Sequence, residues 1–287
     1  MTNTHLQKQK AEQFNQLHVG DQMLMLPNIW DPLGALLLED LGYPAIATAS
    51  AAIAYANGYP DGEKIGFAEL LVLLKKITQA VKIPVSADIE SGYANNDIEL
   101  RENIRSLIDI GVVGINIEDS DKRTEGLLAI ETQSRKIRAI REVSEEKGIP
   151  LFINARTDVY LFESIFDARE KKLNEAIKRG LAYKQAGANG FYPITLKEKE
   201  DISELIAQVK LPLNILAVSG IPDLHTLSLL GVARISLGPS FLKISLQAMK
   251  EMASQLKNGE NLLSVTENKM GTDYLKSLVH KNSGSGG

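Results

Sequence analysis

Eight short runs of apolar and β-branched residues recur along this chain, and most of the intervals between them carry helical periodicity. The runs are Met23–Leu26, Ala45–Thr48, Pro84–Ile89, Gly114–Glu118, Leu151–Ala155, Gly190–Ile194, Leu213–Ala217 and Arg234–Gly238. Leu70, Leu73, Leu74 and Ile77 share one face of the interval before the third run. Ile104, Leu107 and Ile108 do so before the fourth, and Ile137, Ile140 and Val143 before the fifth. Side chains three and four apart lie together on a helix, so each interval has an apolar stripe to bury. Strand and helix alternating in one unbroken array over most of the 287 residues is the pattern of a (β/α)8 barrel. A doubly wound open sheet is the alternative, but no G-x-G-x-x-G follows the first run.

Punctuation agrees with this reading. Gly42, Gly111, Gly187 and Gly231 each stand between the end of a helical stretch and the start of an apolar run, where a left-handed C′ residue ends a helix. Leu6 to Leu17 reads as a short helix able to cap the barrel floor. The expected fold is therefore α/β, a TIM-type barrel forming a single domain over residues 1–280, with 281–287 a flexible tail of linker composition. After the last run, Phe241, Leu242, Ile244, Leu246, Met249, Met252 and Leu256 supply more apolar surface than one helix face needs. Either this is a well-buried last barrel helix or it is exchanged between subunits.

Composition narrows the chemistry. A net charge of −4 with both signs interspersed gives no nucleic-acid footprint. No apolar stretch reaches the ~18 residues of a membrane span, and the polar N-terminus does not read as a signal peptide. There is no cysteine, which excludes disulfides, zinc–thiolate sites and a cysteine nucleophile. A cytoplasmic protein is the expectation.

The chemistry collects at strand ends. The third run ends in Asp88-Ile89-Glu90, the fourth in Glu118-Asp119, and the fifth runs on to Arg156-Thr157-Asp158. Unpaired buried carboxylates cost several kcal/mol, so such a cluster calls for a partner. In a barrel the strand C-termini carry the active site. Asp88 and Glu90, two apart, are expected on one face of their strand, with Glu118 beside them. Oxygen ligands of this kind suit Mg2+ or Mn2+, and the four histidines lie elsewhere. Small residues at Thr48–Ala52 allow backbone amides to approach an anion. Asp61, in the turn-rich loop Tyr55–Gly62, is a candidate lid residue.

Together these segments resemble the isocitrate lyase / phosphoenolpyruvate mutase superfamily, from Leu26-Pro27-Asn28-Ile29-Trp30-Asp31 to Ser236-Leu237-Gly238-Pro239. Asp88-Ile89-Glu90-Ser91-Gly92-Tyr93, Ile117-Glu118-Asp119 and Asn154-Ala155-Arg156-Thr157-Asp158 carry the resemblance. It implies a divalent ion at Asp88, Glu90 and Glu118. It implies a substrate anion held by Ser50, the backbone of Ala51 and Ala52, and Arg156. Asp61 would lie on a gating loop and Asn214 on the substrate side. It also implies a homo-oligomer, dimer or tetramer, that exchanges its eighth helix.

The departures are specific. The lyase branch carries a Lys-Arg-Cys-Gly-His loop whose cysteine donates a proton; here the stretch is Lys122-Arg123-Thr124-Glu125-Gly126. The lyase glutamate after strand six is absent from Phe191-Tyr192-Pro193-Ile194, and the mutase asparagine and histidine have no clear counterpart. Glu90 stands where the family usually has aspartate. The resemblance implies a Mg2+-dependent lyase that breaks a C–C bond of a small 2-oxo or 2-hydroxy dicarboxylate or related acid through a metal-stabilised enolate. The alternatives are C–P chemistry of the phosphonopyruvate hydrolase or phosphoenolpyruvate mutase type, and a 2-oxo-acid-binding protein without catalysis.

Overall fold

The computed structural model describes residues 3–122, 124, 126–162, 166, 168–259, 262–267 and 270–283. The strands are β1 (Leu24–Leu26), β2 (Asn28–Ile29), β3 (Ile46–Thr48), β4 (Val85–Asp88), β5 (Gly114–Glu118), β6 (Ser120–Asp121), β7 (Gly126–Leu127), β8 (Phe152–Thr157), β9 (Gly190–Pro193), β10 (Asn214–Leu216) and β11 (Arg234–Ser236). Each of the eight expected runs holds a barrel strand. Pro27 has no N–H to give to a ladder, and the first barrel strand is split there into β1 and β2. β2 begins a parallel series through β3, β4, β5, β8 and β9. Phe191 of β9 bridges to Leu213, β10 pairs with β11, and β11 with β1. The parallel pairings thus run right round the barrel, with a seam at the split strand.

One side chain stitches that seam. Asn28 Nδ2 donates to the Thr48 carbonyl at 2.8 Å. Its Oδ1 accepts from the amides of Leu237 and Gly238 at 2.8 and 3.1 Å. Beyond the barrel strands, β6 and β7 form a small antiparallel hairpin, a feature the sequence pattern did not announce.

Helices surround the strands: α1 (Asn3–Gln16), α2 (Pro32–Asp40), α3 (Ser50–Ala56), α4 (Phe67–Ala80), α5 (Asp97–Asp109), α6 (Ile130–Lys147), α7 (Arg169–Gln185), α8 (Lys199–Val209), α9 (Leu224–Leu229), α10 (Ser240–Lys257), α11 (Leu263–Thr266) and α12 (Thr272–Ser283). The apolar stripes read from the sequence are the buried faces of α4, α5 and α6. Only Leu73 among those residues is partly exposed. Gly42, Gly111, Gly187 and Gly231 have φ of 81°, 99°, 104° and 85°, the left-handed stop expected of them.

The floor is closed by α1, which starts three residues earlier than expected. Gln7 Nε2 donates to the Ile108 carbonyl at 2.6 Å and Asn15 Nδ2 to that of Pro150 at 2.8 Å. Phe14 packs so closely on the start of β5 that a Cβ at Gly114 would fall 2.5 Å from its ring. Phe14 meets Phe152 edge-on, and the buried His18 ring stacks on Phe152 with centroids 3.8 Å apart. Burial first, then the field of Arg234, push the His18 pKa down to about 3.

The C-terminal helices depart from a simple last turn of the barrel. α10 buries only Leu242 and exposes Ile244, Leu246, Met249 and Leu256. α12 instead packs on α2, with Leu278 buried near Leu36 and Leu38 and Tyr274 Oη donating to Asp40 at 2.9 Å. Its helix runs to Ser283, past the boundary expected at 280, because extending a formed helix is cheap. Residues 284–287 of the expected tail lie outside the described residues. No described helix is long and apolar enough to cross a membrane.

Candidate active site

Asp88 closes β4 at the C-terminal mouth, and four donors surround it. Ser50 gives its amide at 3.1 Å and its hydroxyl at 2.7 Å to Oδ2. Asn116 Nδ2 donates to Oδ1 at 2.9 Å, and the Glu90 amide lies 3.4 Å from the same oxygen. Ser50 is also the first residue of α3, so Ala51 and Ala52 present amides that no earlier helical carbonyl can satisfy. Ala51 borders the mouth cavity; Ala52 is buried among Ala49, Leu242 and Trp30.

Glu90 does not share the face of Asp88. β4 ends at Asp88, and Glu90 has φ of 47°, so the two-residue alternation expected of an extended strand stops there. The turn carries a second left-handed residue, Tyr93 at 53°. Glu63 holds it: one carboxylate oxygen accepts from Ser91 N, Ser91 Oγ and Tyr93 N at 2.9, 2.7 and 3.0 Å. Glu63 thereby ties the Asp61 loop to the end of β4. Glu90 is turned toward Lys122, which reaches it at 3.1 Å and reaches Glu118 at 2.6 Å. The second oxygen of Glu90 accepts from Tyr93 Oη at 2.8 Å.

Glu118 and Arg156 are register partners on β5 and β8 and meet at 2.8 Å. Arg156 also grips Asp158 through Nε at 2.6 Å and Nη2 at 2.9 Å, and Ser120 Oγ donates to the same carboxylate. Burial works against the charge on Arg156, but Glu118 and Asp158 overcome it and hold the guanidinium well above its ordinary pKa. Burial pushes Glu118 up to about 7 against the opposing pull of Arg156 and Lys122. Burial raises Glu90 as well, with Lys122 opposing. Burial disfavours the Lys122 ammonium, yet Glu118 and Glu90 together raise its pKa.

Two cavities meet at this point. One, of about 330 Å3, runs into the barrel and is bordered by Ser50, Asp61, Asp88, Arg156, Tyr192 and Arg234, among others. The other, of about 500 Å3, lies over Glu90, Glu118, Lys122 and Asp158 and shares Ser50, Asp61 and Arg156 with the first. Asp61 is exposed at the junction. Asn214 is buried at the start of β10, opposite Arg234, with its Oδ1 accepting from Ser236 Oγ at 3.1 Å. The sequence reading gave no role to Lys122, Asn116, Glu63 or Arg234. Lys122 was visible only as part of an altered loop. Arg234 carried a usable signal: a cation at the head of a run that must be buried. Arg123 and Glu125 of the altered loop lie outside the described residues.

The donors suit a hard divalent cation in their chemistry. Asp61, Asp88, Glu90 and Glu118 are all carboxylates, with no thiol or imidazole beside them. Their arrangement is not a closed cage. Among the described residues no three acidic or imidazole groups converge on one point. Glu90 and Glu118 share an ammonium, and Asp88 stands apart on Ser50 and Asn116. Mg2+ commonly takes one or two carboxylates and keeps its waters for substrate to replace, so Asp88 is the residue that fits as direct ligand.

Comparison with known proteins agrees with this architecture. Residues 14–257 match the family model for phosphoenolpyruvate phosphomutase. An uncharacterised protein of Mycobacterium tuberculosis is 31% identical over 249 residues, which is 87% of this chain and 90% of that protein. The 2-methylisocitrate lyase of Bacillus subtilis is 27% identical over 214 residues, 72% of this chain and 67% of the lyase. Among solved structures, a phosphonomutase-like protein of Burkholderia cenocepacia superposes with a TM-score of 0.81 at 36% identity, covering 88% of this chain and 99% of its own. A phosphonopyruvate hydrolase complexed with oxalate and Mg2+ shares the fold, with a TM-score of 0.82 at 21% identity over 96% of both chains.

Proposed function

This chain belongs to the phosphoenolpyruvate phosphomutase family, and from that premise we propose that it is a Mg2+- or Mn2+-dependent carbon–carbon lyase acting on a small 2-oxo or 2-hydroxy carboxylic acid. The observation that carries the reading is a single cavity at the strand ends onto which Ser50, Asp88 and Arg156 all open. Lyases of carboxylic acids among its relatives support the reaction class. Asp88 would hold the cation, with Glu90 and Glu118 behind it. When bound, the ion supplies Lewis-acid polarisation of the 2-oxo oxygen.

The protein's own part is positioning and electrostatics. Arg156 uses three of its five donors on Glu118 and Asp158. Two donors remain, and Arg156 borders the cavity that would take the substrate carboxylate. The amide of Ala51 adds a dipole at the same wall, preorganised where negative charge develops as the bond breaks, while Ser50 uses its amide and hydroxyl to hold Asp88 in place. Lys122 keeps Glu90 and Glu118 from repelling one another, so both carboxylates stay in place beside the reacting centre. Asp61, on the loop tied down by Glu63, guards the junction of the cavities.

The test is turnover across a panel of 2-hydroxy and 2-oxo acids with added Mg2+, comparing wild type with Asp88→Ala. Metal-dependent cleavage in wild type and none in the variant is expected; full activity in the variant would refute the cation's place. C–P cleavage is the second reading, favoured by Asp61 bordering both cavities. Phosphate release from phosphonopyruvate, lost in Asp61→Asn, would establish it. Thermal stabilisation by 2-oxo acids with no turnover on any of them would instead mark a binding protein. The exposed apolar face of α10 supports a homo-oligomer that exchanges this helix, checked by light scattering on the purified protein.

A further inference from the structure

When the bond to C3 of a 2-oxo acid breaks, an enolate is left, and its carbon must take up a proton. Almost every polar group at the mouth is committed elsewhere. The chain has no cysteine. Ser50 spends its hydroxyl on Asp88. The oxygens of Glu90 and Glu118 already accept from Lys122, Tyr93 and Arg156. Lys122 is held by the same two carboxylates, which raise its pKa and make it a weaker acid. Arg156 is gripped by Glu118 and Asp158, and a guanidinium does not give up its proton. Asp61 and the phenol of Tyr55 stand exposed at the rim.

Tyr192 is placed differently. It is the register partner of Arg156 across β8 and β9, as Arg156 is of Glu118 across β5 and β8, so the three side chains share one face of the barrel wall. Tyr192 borders the same cavity as Ser50, Asp88 and Arg156. Its ring is buried, with the residue only 6% exposed. A buried phenol ordinarily finds a partner for its O–H. This one has no hydrogen bond among the described residues, yet its oxygen is not one of the sealed, unpartnered atoms. The small surface Tyr192 keeps therefore includes the hydroxyl, at the cavity. Burial raises its pKa, Arg156 and Arg234 oppose the rise, and Asp88 and Asp158 add to it, so the phenol keeps its proton at neutral pH. The two guanidinium groups are the charges that a phenolate would need once the proton has gone.

Resting on the lyase reading given above, we propose that Tyr192 is the general acid that protonates the enolate at C3. The electron pair of the broken C–C bond becomes the enolate. The Tyr192 O–H bond then breaks and its proton forms the new C–H bond. The phenolate left behind is stabilised by Arg156 and Arg234, and it regains a proton from water at the mouth after the product leaves. A phenol is a stronger acid than the C–H bond it makes, so the transfer runs downhill. A positioned acid of this kind contributes roughly 10^2- to 10^4-fold.

The experiment is deuterium exchange, because the group that gives the proton also removes it in the reverse direction. With Mg2+ in D2O, wild type should bind oxalate by calorimetry and exchange the C3 hydrogens of pyruvate or 2-oxobutanoate by NMR. At C3 of 2-oxobutanoate one hydrogen should exchange well ahead of the other, since a fixed donor serves one face. Tyr192→Phe should slow exchange by about 10^2 or more and erase that preference, while oxalate affinity stays within about twofold. Exchange at the wild-type rate in Tyr192→Phe, or a loss of oxalate affinity as large as the loss of exchange, overturns the role of Tyr192. So does oxalate binding by wild type with no exchange of either 2-oxo acid, a comparison that needs no variant to fold. Failure of wild type to bind oxalate overturns the lyase reading of the mouth, and the acid with it.

Discussion

Glu118 and Asp119 are consecutive, and their carboxylates lie on opposite sides of the barrel wall. Glu118 faces the mouth, where Arg156 and Lys122 hold it beside a cavity. Asp119 faces the helix layer, where Arg179 meets it at 2.9 Å and Tyr183 Oη at 2.6 Å, while its other oxygen accepts from the Asp158 amide at 2.9 Å. Both are almost inaccessible, at 2% and 0% exposure, and burial raises both pKa values. Burial and charge therefore do not tell the two apart. The difference is in what the partners can do. Those of Asp119 are sealed between β5 and α7 and can only hold the wall together. Those of Glu118 border open space, where a substrate anion can join the same cations.

The comparison can be broken by removing one arginine from each side. Arg156→Met should lower turnover by a factor on the order of 10^3 or more, about 4 kcal/mol of transition-state stabilisation. Its loss of stability in denaturant melts should be smaller than that of the next variant, because Lys122 remains beside Glu118. Arg179→Met should cost about 3–5 kcal/mol of stability, the usual result of stranding one member of a buried pair, while the protein that stays folded keeps its kcat. If the stability losses prove equal, the proposed division between mouth and wall fails.

A third sealed group sharpens the contrast through pH. His18 has a folded pKa of about 3 against 6.5 when unfolded. Between those values the unfolded chain binds the extra proton, so this contribution is fully present above about pH 6.5 and is lost as pH falls toward 3. Moving from pH 7 to pH 5 should cost about 2 kcal/mol through this residue, and His18→Phe should flatten that part of the stability profile. The smallest effect belongs to the exposed pair Arg105–Glu146, 2.9 Å apart. Glu146→Gln should leave both the melting temperature and turnover unchanged.

The barrel was legible in the sequence because strand and helix bury different periods. A stripe such as Ile104, Leu107 and Ile108 has no other use. Asp88 and Arg156 were legible because charge at the end of an apolar run is expensive unless something answers it. Glu90 was not, since its orientation depends on a left-handed φ that spacing does not reveal. Lys122 was not, since its reach to Glu90 and Glu118 depends on a hairpin between β6 and β7. Arg234 was in plain view at the head of β11, but only the folded barrel shows that its Nε meets the neutral Ser236 hydroxyl and its Nη1 meets nothing among the described residues.

The seam at Pro27 has a consequence for how the protein comes to be made. Asn28 reaches Leu237 and Gly238 across 209 and 210 residues of chain. Loop closure of that length must come before any reward from the contact. A nascent chain can assemble β3 to β9 progressively, but its first strand waits for its last. Until β11 docks, the lumen has an open side, water enters it, and Arg234 has no cavity to border. The site is therefore completed by the last segment of the ring to emerge, and a chain interrupted before it carries Asp88, Glu118 and Arg156 without a working pocket.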